Sequence, residues 1–368
     1  MSAGTDADFM RAALGLARRG LGQVWPNPTV GCVIVAGGRV VGRGRTAPGG
    51  RPHAETEAMA MAGAAARGAT AYVTLEPCAH HGRTPPCAEA LVAAGVSRVV
   101  IALGDPDPRV NGRGIAILRA GGIAVETGCL AEAAAEVNRG FLSRVLRGRP
   151  ALTLKLATSL DGRIATAAGE SRWITGPRAR AEVHLLRAQA DAVMVGAATM
   201  RADNPRLDVR GNGLAAARPV RVVVAGREAL PRDGHLGQSA GAQPLWICHP
   251  EGADLDWWRA AGATLIPVAP GPEGRPEPAA LLRALGALGL TRVLCEGGGK
   301  LAAALLGAGQ VDEIIAYGAG LTLGADGRPA VAALGLSALA DAPRFDLVDI
   351  AGVDGDIRSR WRVPPAQA

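Results

Sequence analysis

Three residues that ligate soft metals stand in three separate local contexts, and any fold of this chain has to bring them together. His53 opens His53-Ala54-Glu55, Cys78 ends Glu76-Pro77-Cys78, and Cys87 follows Pro85-Pro86. One imidazole and two thiolates make a zinc site that keeps its fourth position for water. Glu55, two residues after the histidine, can carry protons without binding metal. His80 and His81 offer a fourth ligand, and a four-ligand site would be structural and not catalytic.

The flanking pattern supplies the elements that would converge. Thr5 or Asp6 caps a helix to about Gly20, with Phe9, Ala13, Leu16 and Ala17 at helical spacing. Residues 29–35 are patterned as a buried strand, and Gly37-Gly38 as the turn into a second strand over 39–43. A Pro/Gly-rich loop then delivers His53 to a helix predicted over 54–67, and a strand over 72–75 ends at Pro77-Cys78. Pro85-Pro86 suits the first turn of a helix from Cys87. There the positive end of the helix dipole would favour the Cys87 thiolate. Strands over 98–103 and 123–126 flank a helix over 115–119, which implies a layered α/β domain.

A boundary is expected at 147–150, giving domains over 1–147 and 148–368. Beyond it, strands over 151–159, 192–195, 220–224, 245–248, 264–267 and 292–295 are joined by helices that include 177–190 and 301–306. This is a second α/β domain, and no internal repeat relates the halves. The chain's 368 residues suffice for two cores.

The net charge of +7 invites a nucleic-acid reading. However, the basic residues are scattered and aromatics are only 3%, so neither a basic stripe nor a stacking surface is expected. No apolar run is long enough to span a membrane, and the polar, acidic N-terminus shows no signal peptide. The expectation is a cytoplasmic protein with no membrane or nucleic-acid partner. Six cysteines in a chain of this length favour metal or buried-thiol roles over a disulfide framework.

Longer motifs sharpen the reading. Pro26-Asn27-Pro28-Thr29-Val30-Gly31-Cys32, His53-Ala54-Glu55 and the stretch from Glu76 to Cys87 together resemble the deaminase half of the bifunctional riboflavin-biosynthesis deaminase/reductase family. In that family the eight-residue gap between the cysteines is normal. The resemblance implies that His53, Cys78 and Cys87 bind Zn2+ and that Glu55 shuttles protons. It also implies that Asn27 holds a pyrimidine while His80 and Arg83 face a ribose phosphate. The loop over 105–114 matches a further family segment, with Asp107 where Asn is more usual, and Thr46 stands where many members carry His.

In the second half, Lys155 to Arg163, Gly169 to Gly176, His184 to Arg187, Gly196 to Thr199, Asp203 to Arg210 and Val293 to Lys300 resemble the reductase half in order. Its fold is like dihydrofolate reductase and its cofactor is NADPH. The resemblance implies that Ala157, Trp173, Thr199, Asp203, Gly298 and Gly299 face the cofactor, although Trp173 and Leu207 would equally suit a core. Ser171, Arg187, Leu207, Arg210 and Glu296 would face the substrate, with Lys155 and Asp203 assisting protonation. The implied architecture is a cytidine-deaminase-like three-layer α/β/α domain followed by a dihydrofolate-reductase-like α/β domain. The implied reactions are zinc-dependent hydrolytic deamination of 2,5-diamino-6-(5-phosphoribosylamino)pyrimidin-4(3H)-one, then NADPH-dependent reduction of the ribosyl to the ribityl chain. The partner would be this small phosphorylated pyrimidine, in a homo-oligomer (dimer or tetramer). Competing readings are a nucleic-acid deaminase and a zinc-stabilised binding module.

Overall fold

In the computed structural model, residues 4–81, 85–211, 213–214, 216–226, 228–271 and 274–364 are described. They divide into two units, Met1–Gly148 and Arg149–Ala368.

The first unit begins with a reciprocal cap: the Thr5 hydroxyl accepts from Asp8 N–H while the Asp8 carboxylate accepts from Thr5 N–H. This closes the first turn of α1 (Asp6–Arg18). Its inward face is Met10, Ala13, Leu14 and Ala17; Phe9 and Leu16 lie at the edge of that face and are only partly buried. There follow β1 (Gly31–Ala36), β2 (Arg39–Arg45), α2 (Ala54–Ala62), β3 (Thr70–Val73), α3 (Cys87–Ala93), β4 (Arg98–Ile101), α4 (Arg113–Ala120), β5 (Ala124–Thr127), α5 (Ala131–Val137) and α6 (Arg139–Arg147). The sheet runs β2-β1-β3-β4-β5, with β1 antiparallel to its neighbours and β3, β4 and β5 parallel. Helices α1 and α5 cover one face and α2, α3 and α4 the other, so the unit is three-layered. The helix predicted over 54–67 is shorter than expected. Gly63 turns to φ +53° and ends α2, and a short 3-10 segment replaces the rest.

One close approach fixes where the metal ligands sit. A Cβ at Gly44 would lie 2.2 Å from the Ala54 carbonyl, so only glycine lets β2 take the start of α2 this closely.

The second unit is built on β6 (Ala151–Ser159), β7 (Arg163–Ala165), α7 (Pro177–Ala188), β8 (Ala192–Gly196), α8 (Ala197–Asp203), β9 (Val220–Val224), α9 (His235–Gln238), β10 (Leu245–His249), α10 (Asp256–Ala260) and β11 (Thr264–Pro267). It continues with α11 (Pro278–Ala287), β12 (Arg292–Gly297), α12 (Gly299–Gly307), β13 (Glu313–Ala319), β14 (Arg328–Pro329), β15 (Asp346–Val353) and β16 (Asp356–Arg362). A nine-stranded sheet runs β11-β10-β9-β8-β12-β6-β13-β16-β15. It is parallel as far as β13 and closes with the antiparallel β16 and β15. Strands β8 and β9 are buried almost end to end, as a sheet covered on both faces requires. Crevices at the carboxyl ends of such strands are where α/β sheets bind ligands. The neighbouring strands β8 and β12 end there in Gly196-Ala197 and Glu296-Gly297-Gly298.

Candidate active sites

In the first unit, His53 is the residue before α2, Cys78 follows the end of β3, and Cys87 is the first residue of α3. The three meet. His53 Nδ1 lies 3.5 Å from Cys78 Sγ and 3.4 Å from Cys87 Sγ. Tetrahedral zinc at its ordinary bond lengths separates an imidazole nitrogen from a thiolate sulfur by about 3.5 Å, so the donor set fits zinc in both chemistry and spacing. Among the described residues the cluster holds these three side chains. His81 turns to Glu89 at 3.2 Å on the surface, and His80 Nδ1 is buried without a hydrogen-bond partner among the described residues. Arg83 lies outside the described residues.

The helix terminus acts on a different sulfur from the one expected. The Cys87 N–H donates to Cys78 Sγ at 3.2 Å. The hydrogen bond from the Cys87 thiol, joined by those from His53 and the Cys87 N–H, lowers the Cys78 pKa to about 4. The same thiol bond, followed by burial, raises Cys87. Cys78 is thus the ready thiolate, and a bound divalent cation displaces the remaining thiol proton. Glu55 is 3% exposed. Burial, followed by the charge of Cys78, raises its pKa to about 7. A carboxyl poised there exchanges protons in both directions near neutrality.

Buried polar side chains fasten the segment that follows Asn27. Thr29 N–H donates to Asn138 Oδ1 at 3.0 Å, Val30 N–H to the Thr46 hydroxyl at 2.9 Å, and Gly31 N–H to the Thr74 hydroxyl at 3.0 Å. The Thr46 hydroxyl also donates to the Pro28 carbonyl at 3.2 Å, so this departure from the usual His fastens the Asn27 segment. A Cβ at Gly50, whose φ is +88°, would lie 2.0 Å from Asn27 Nδ2, so the Asn27 amide rests directly on that glycine.

In the second unit, Lys155, His184, Arg187 and Glu296 form one electrostatic cluster. Arg187 grips Glu296 with two parallel bonds, Nη2 to Oε2 at 2.8 Å and Nε to Oε1, and donates Nη1 to the Asp208 carbonyl at 2.8 Å. Burial alone would raise Glu296, but Arg187 outweighs it and holds the carboxyl below its ordinary range. Burial lowers the Lys155 pKa; Arg187 adds to the effect and Glu296 opposes it. Arg210 is exposed, pairs with Asp208 at 3.1 Å and donates its N–H to His184 Nδ1 at 3.2 Å.

A second group gathers where β8 and β12 end. The Thr199 hydroxyl donates to the Gly297 carbonyl at 3.1 Å. A Cβ at Gly298, whose φ is +96°, would lie 2.7 Å from that hydroxyl, which reserves the position for glycine. Gly299 passes close to the Pro329 carbonyl, where a Cβ would lie 2.7 Å away. Arg172 donates to the Asp203 carbonyl, while burial raises the Asp203 carboxyl against the opposing charges of Arg172 and Arg328. Trp173 is 68% exposed with the Arg180 guanidinium 4.5 Å from its ring centroid, so it is not a core residue. Leu207 is, at 1% exposed and packed in the cluster that holds Val193 and Met200. Ala157 lies on β6 opposite Tyr317, and Ser171 is partly buried before Arg172.

Comparison with known proteins then decides the family. Residues 150–358 match the model for the RibD C-terminal domain, and residues 3–103 match the cytidine and deoxycytidylate deaminase zinc-binding region. The riboflavin biosynthesis protein RibD of Escherichia coli is 44% identical over 363 residues, covering 96% of this chain and 98% of that protein. RibD of Mycobacterium tuberculosis is 41% identical over 339 residues, with 90% and 91% covered. A solved structure of Acinetobacter baumannii RibD superposes with a TM-score of 0.88 at 41% identity, covering 98% of this chain and 99% of that one. The chain belongs to the RibD family. It is a bifunctional enzyme of riboflavin biosynthesis, with a cytidine-deaminase-like N-terminal domain and a C-terminal reductase domain of the dihydrofolate-reductase-like type. Its cofactors are Zn2+ and NADPH. Among the described residues, no helix is long and apolar enough to cross a membrane.

Sequence reasoning gave no role to Glu76, Asn138, Thr74 or Asp208, all of which brace the sites through long-range bonds. For Glu76 a signal existed: an acid directly before Pro-Cys at a strand end has no solvent to face. Asn138 gave none.

Proposed function

We propose that residues 1–147 deaminate 2,5-diamino-6-(5-phosphoribosylamino)pyrimidin-4(3H)-one and that residues 148–368 then reduce its ribosyl group to ribityl. A solved Thermotoga maritima relative, 32% identical with a TM-score of 0.85, is a diaminohydroxyphosphoribosylaminopyrimidine deaminase/5-amino-6-(5-phosphoribosylamino)uracil reductase. The observation that carries the reading is the His53, Cys78, Cys87 triad beside a buried Glu55 whose pKa is about 7. His53, Cys78 and Cys87 hold zinc, which when bound makes water nucleophilic near neutrality. Glu55 would take a proton from the attacking water and return it to the departing amine, which leaves as ammonia. Asn27 orients the pyrimidine, and His80 and Arg83 take the ribose phosphate.

In the reductase half, NADPH supplies the hydride. Ala157, Trp173, Thr199, Asp203, Gly298 and Gly299 seat the cofactor. Lys155, with a pKa lowered by burial, hands a proton to the sugar oxygen, assisted by Asp203. Ser171, Arg187, Arg210 and Glu296 bind the substrate, and Leu207 shapes its wall from the core. Because much of the Arg187 fork is committed to Glu296 and Asp208, the exposed Arg210 is the better phosphate partner. We read the enzyme as a cytoplasmic homo-oligomer, dimer or tetramer, on the family resemblance.

Zinc analysis of purified wild type and His53→Ala, paired with separate deaminase and reductase assays, tests the metal assignment. The reading requires one zinc per chain in wild type, and loss of zinc and deamination together in the variant with reduction intact. Zinc retained by His53→Ala would refute it.

A further inference from the structure

A buried carboxylate outside the ligand set joins the segment that carries Cys78 to the stretch that follows the neighbouring strand β4. Glu76 is 5% exposed and stands two residues before Cys78. Its oxygens accept from three backbone N–H groups of the stretch after β4: Asp105 at 3.4 Å in the loop, Gly112 at 3.0 Å where α4 begins, and Ile115 at 3.2 Å in the first turn of α4. The first turn of α4 also packs directly on the next residue, since a Cβ at Gly114 would lie 2.1 Å from the Pro77 carbonyl. What the loop presents is an ion pair. Arg109 donates to the Asp107 carboxylate from Nη2 to Oδ2 at 2.6 Å, from Nε to Oδ1 at 3.0 Å and Oδ2 at 3.1 Å, and from its backbone N–H to Oδ1 at 2.9 Å. His80, whose Nδ1 is buried without a partner among the described residues, is a neighbour of the Asp107 carboxylate.

We infer that Glu76 is a positioning residue for deamination: through the backbone of residues 105–115 it holds the Asp107–Arg109 pair against the Cys78–His80 segment as one wall of the substrate site. The inference rests on the deaminase reading of that site. The loop from the end of β4 to the start of α4 has no ladder to fix it, and the first N–H groups of α4 have no partner within the helix, so a carboxylate with several acceptor positions serves both. Glu76 touches neither the metal cluster nor, on this account, the substrate. Its loss should loosen binding and leave the chemistry of Glu55 in place.

The test uses Glu76→Ala, Glu76→Gln and Gly114→Ala in the full chain. Gly114→Ala drives a methyl against the Pro77 carbonyl, which loosens the same loop from its other side. Deaminase kcat and KM are measured on the diaminopyrimidine phosphate, reductase activity on the deaminated product, and zinc per chain by metal analysis. Trypsin cleavage after the exposed Arg109 and Arg113 reports the loop itself. For Glu76→Ala and Gly114→Ala, deaminase kcat/KM should fall about 10- to 100-fold, mostly through KM, with faster loop cleavage, unchanged zinc and unchanged reductase activity. Glu76→Gln, which keeps one acceptor oxygen, should recover part of the loss. Unchanged KM and cleavage in Glu76→Ala would overturn the inference. So would a parallel loss of zinc, kcat and reductase activity in both Glu76→Ala and Gly114→Ala, since that marks a general folding role. A wild type that fails to deaminate would instead refute the proposed function, so the two failures are distinct.

Discussion

Replacing Glu55 by Gln should stabilise the zinc-stripped deaminase unit while removing its chemistry. Burial, followed by the charge of Cys78, raises the Glu55 pKa from 4.5 to about 7. The native fold therefore holds this proton more tightly than the unfolded chain does. Its contribution favours the fold below pH 4.5 and is lost as pH rises to about 7, because the unfolded chain ionises first. At ~1.4 kcal/mol per pH unit, that rise costs the native state about 3 kcal/mol at pH 8. Gln keeps the shape of the side chain and cannot ionise. The stability gap between Glu55→Gln and wild type should be near zero at pH 4.5 and open to about 3 kcal/mol at pH 8, roughly 6–12 °C in the unit's melting temperature. Calorimetry of chelator-treated protein across that range measures it, and the deaminase assay on the zinc-loaded variant should show a loss of about 10²–10⁴ in kcat. A variant no more stable than wild type at pH 8, or a gap that does not change with pH, would refute the argument that burial and Cys78 set this pKa.

Arg187→Ala should destabilise the reductase unit by about 3–5 kcal/mol, because it leaves the Glu296 charge buried and unpaired; thermal melting should show most of the loss recovered in Arg187→Ala/Glu296→Gln. Lys155→Met should lower reductase kcat by about 10²–10⁴ and leave ammonia release untouched, and a variant reducing substrate at the wild-type rate would remove Lys155 from the mechanism. Gly50→Ala should displace the Asn27 amide, which sits 2.0 Å from the new methyl position, and raise the deaminase KM with the reductase as an internal control.

Residues 151–159 were legible to the residue, because Leu152, Leu154 and Leu156 alternate with Thr153 and Lys155 before the turn at Ser159-Leu160-Asp161-Gly162, and the structure forms β6 over Ala151–Ser159. The alanine-rich stretch after His53 was over-read as one helix, since periodicity cannot register the positive φ that Gly63 adopts. Strands β13, β15 and β16 were not anticipated. Strand β13 turns a Glu inward: Glu313 is 2% exposed, and Arg360 meets it at 2.8 Å and Arg362 at 3.5 Å from a strand far along the chain, with the Thr153 hydroxyl at 3.1 Å. Strand β15 is a sheet edge that exposes Leu347 and Ile350, so its pattern does not alternate in the usual sense. At the sites, ligand types and spacing gave the metal cluster, but not which sulfur the α3 N–H would serve. That choice depends on the path of the chain between Cys78 and Cys87. An acid directly before Pro-Cys signalled that Glu76 needs a partner, but the partners themselves were not legible, since they come from the segment after β4.

The most direct test of the account follows ammonia and NADPH absorbance together in zinc-replete wild type given the diaminopyrimidine phosphate. Ammonia should appear first, NADPH should fall only as deaminated product accumulates, and Glu55→Ala should stop both until deaminated product is supplied. NADPH loss that precedes ammonia, or that persists in Glu55→Ala on the undeaminated substrate, would contradict it.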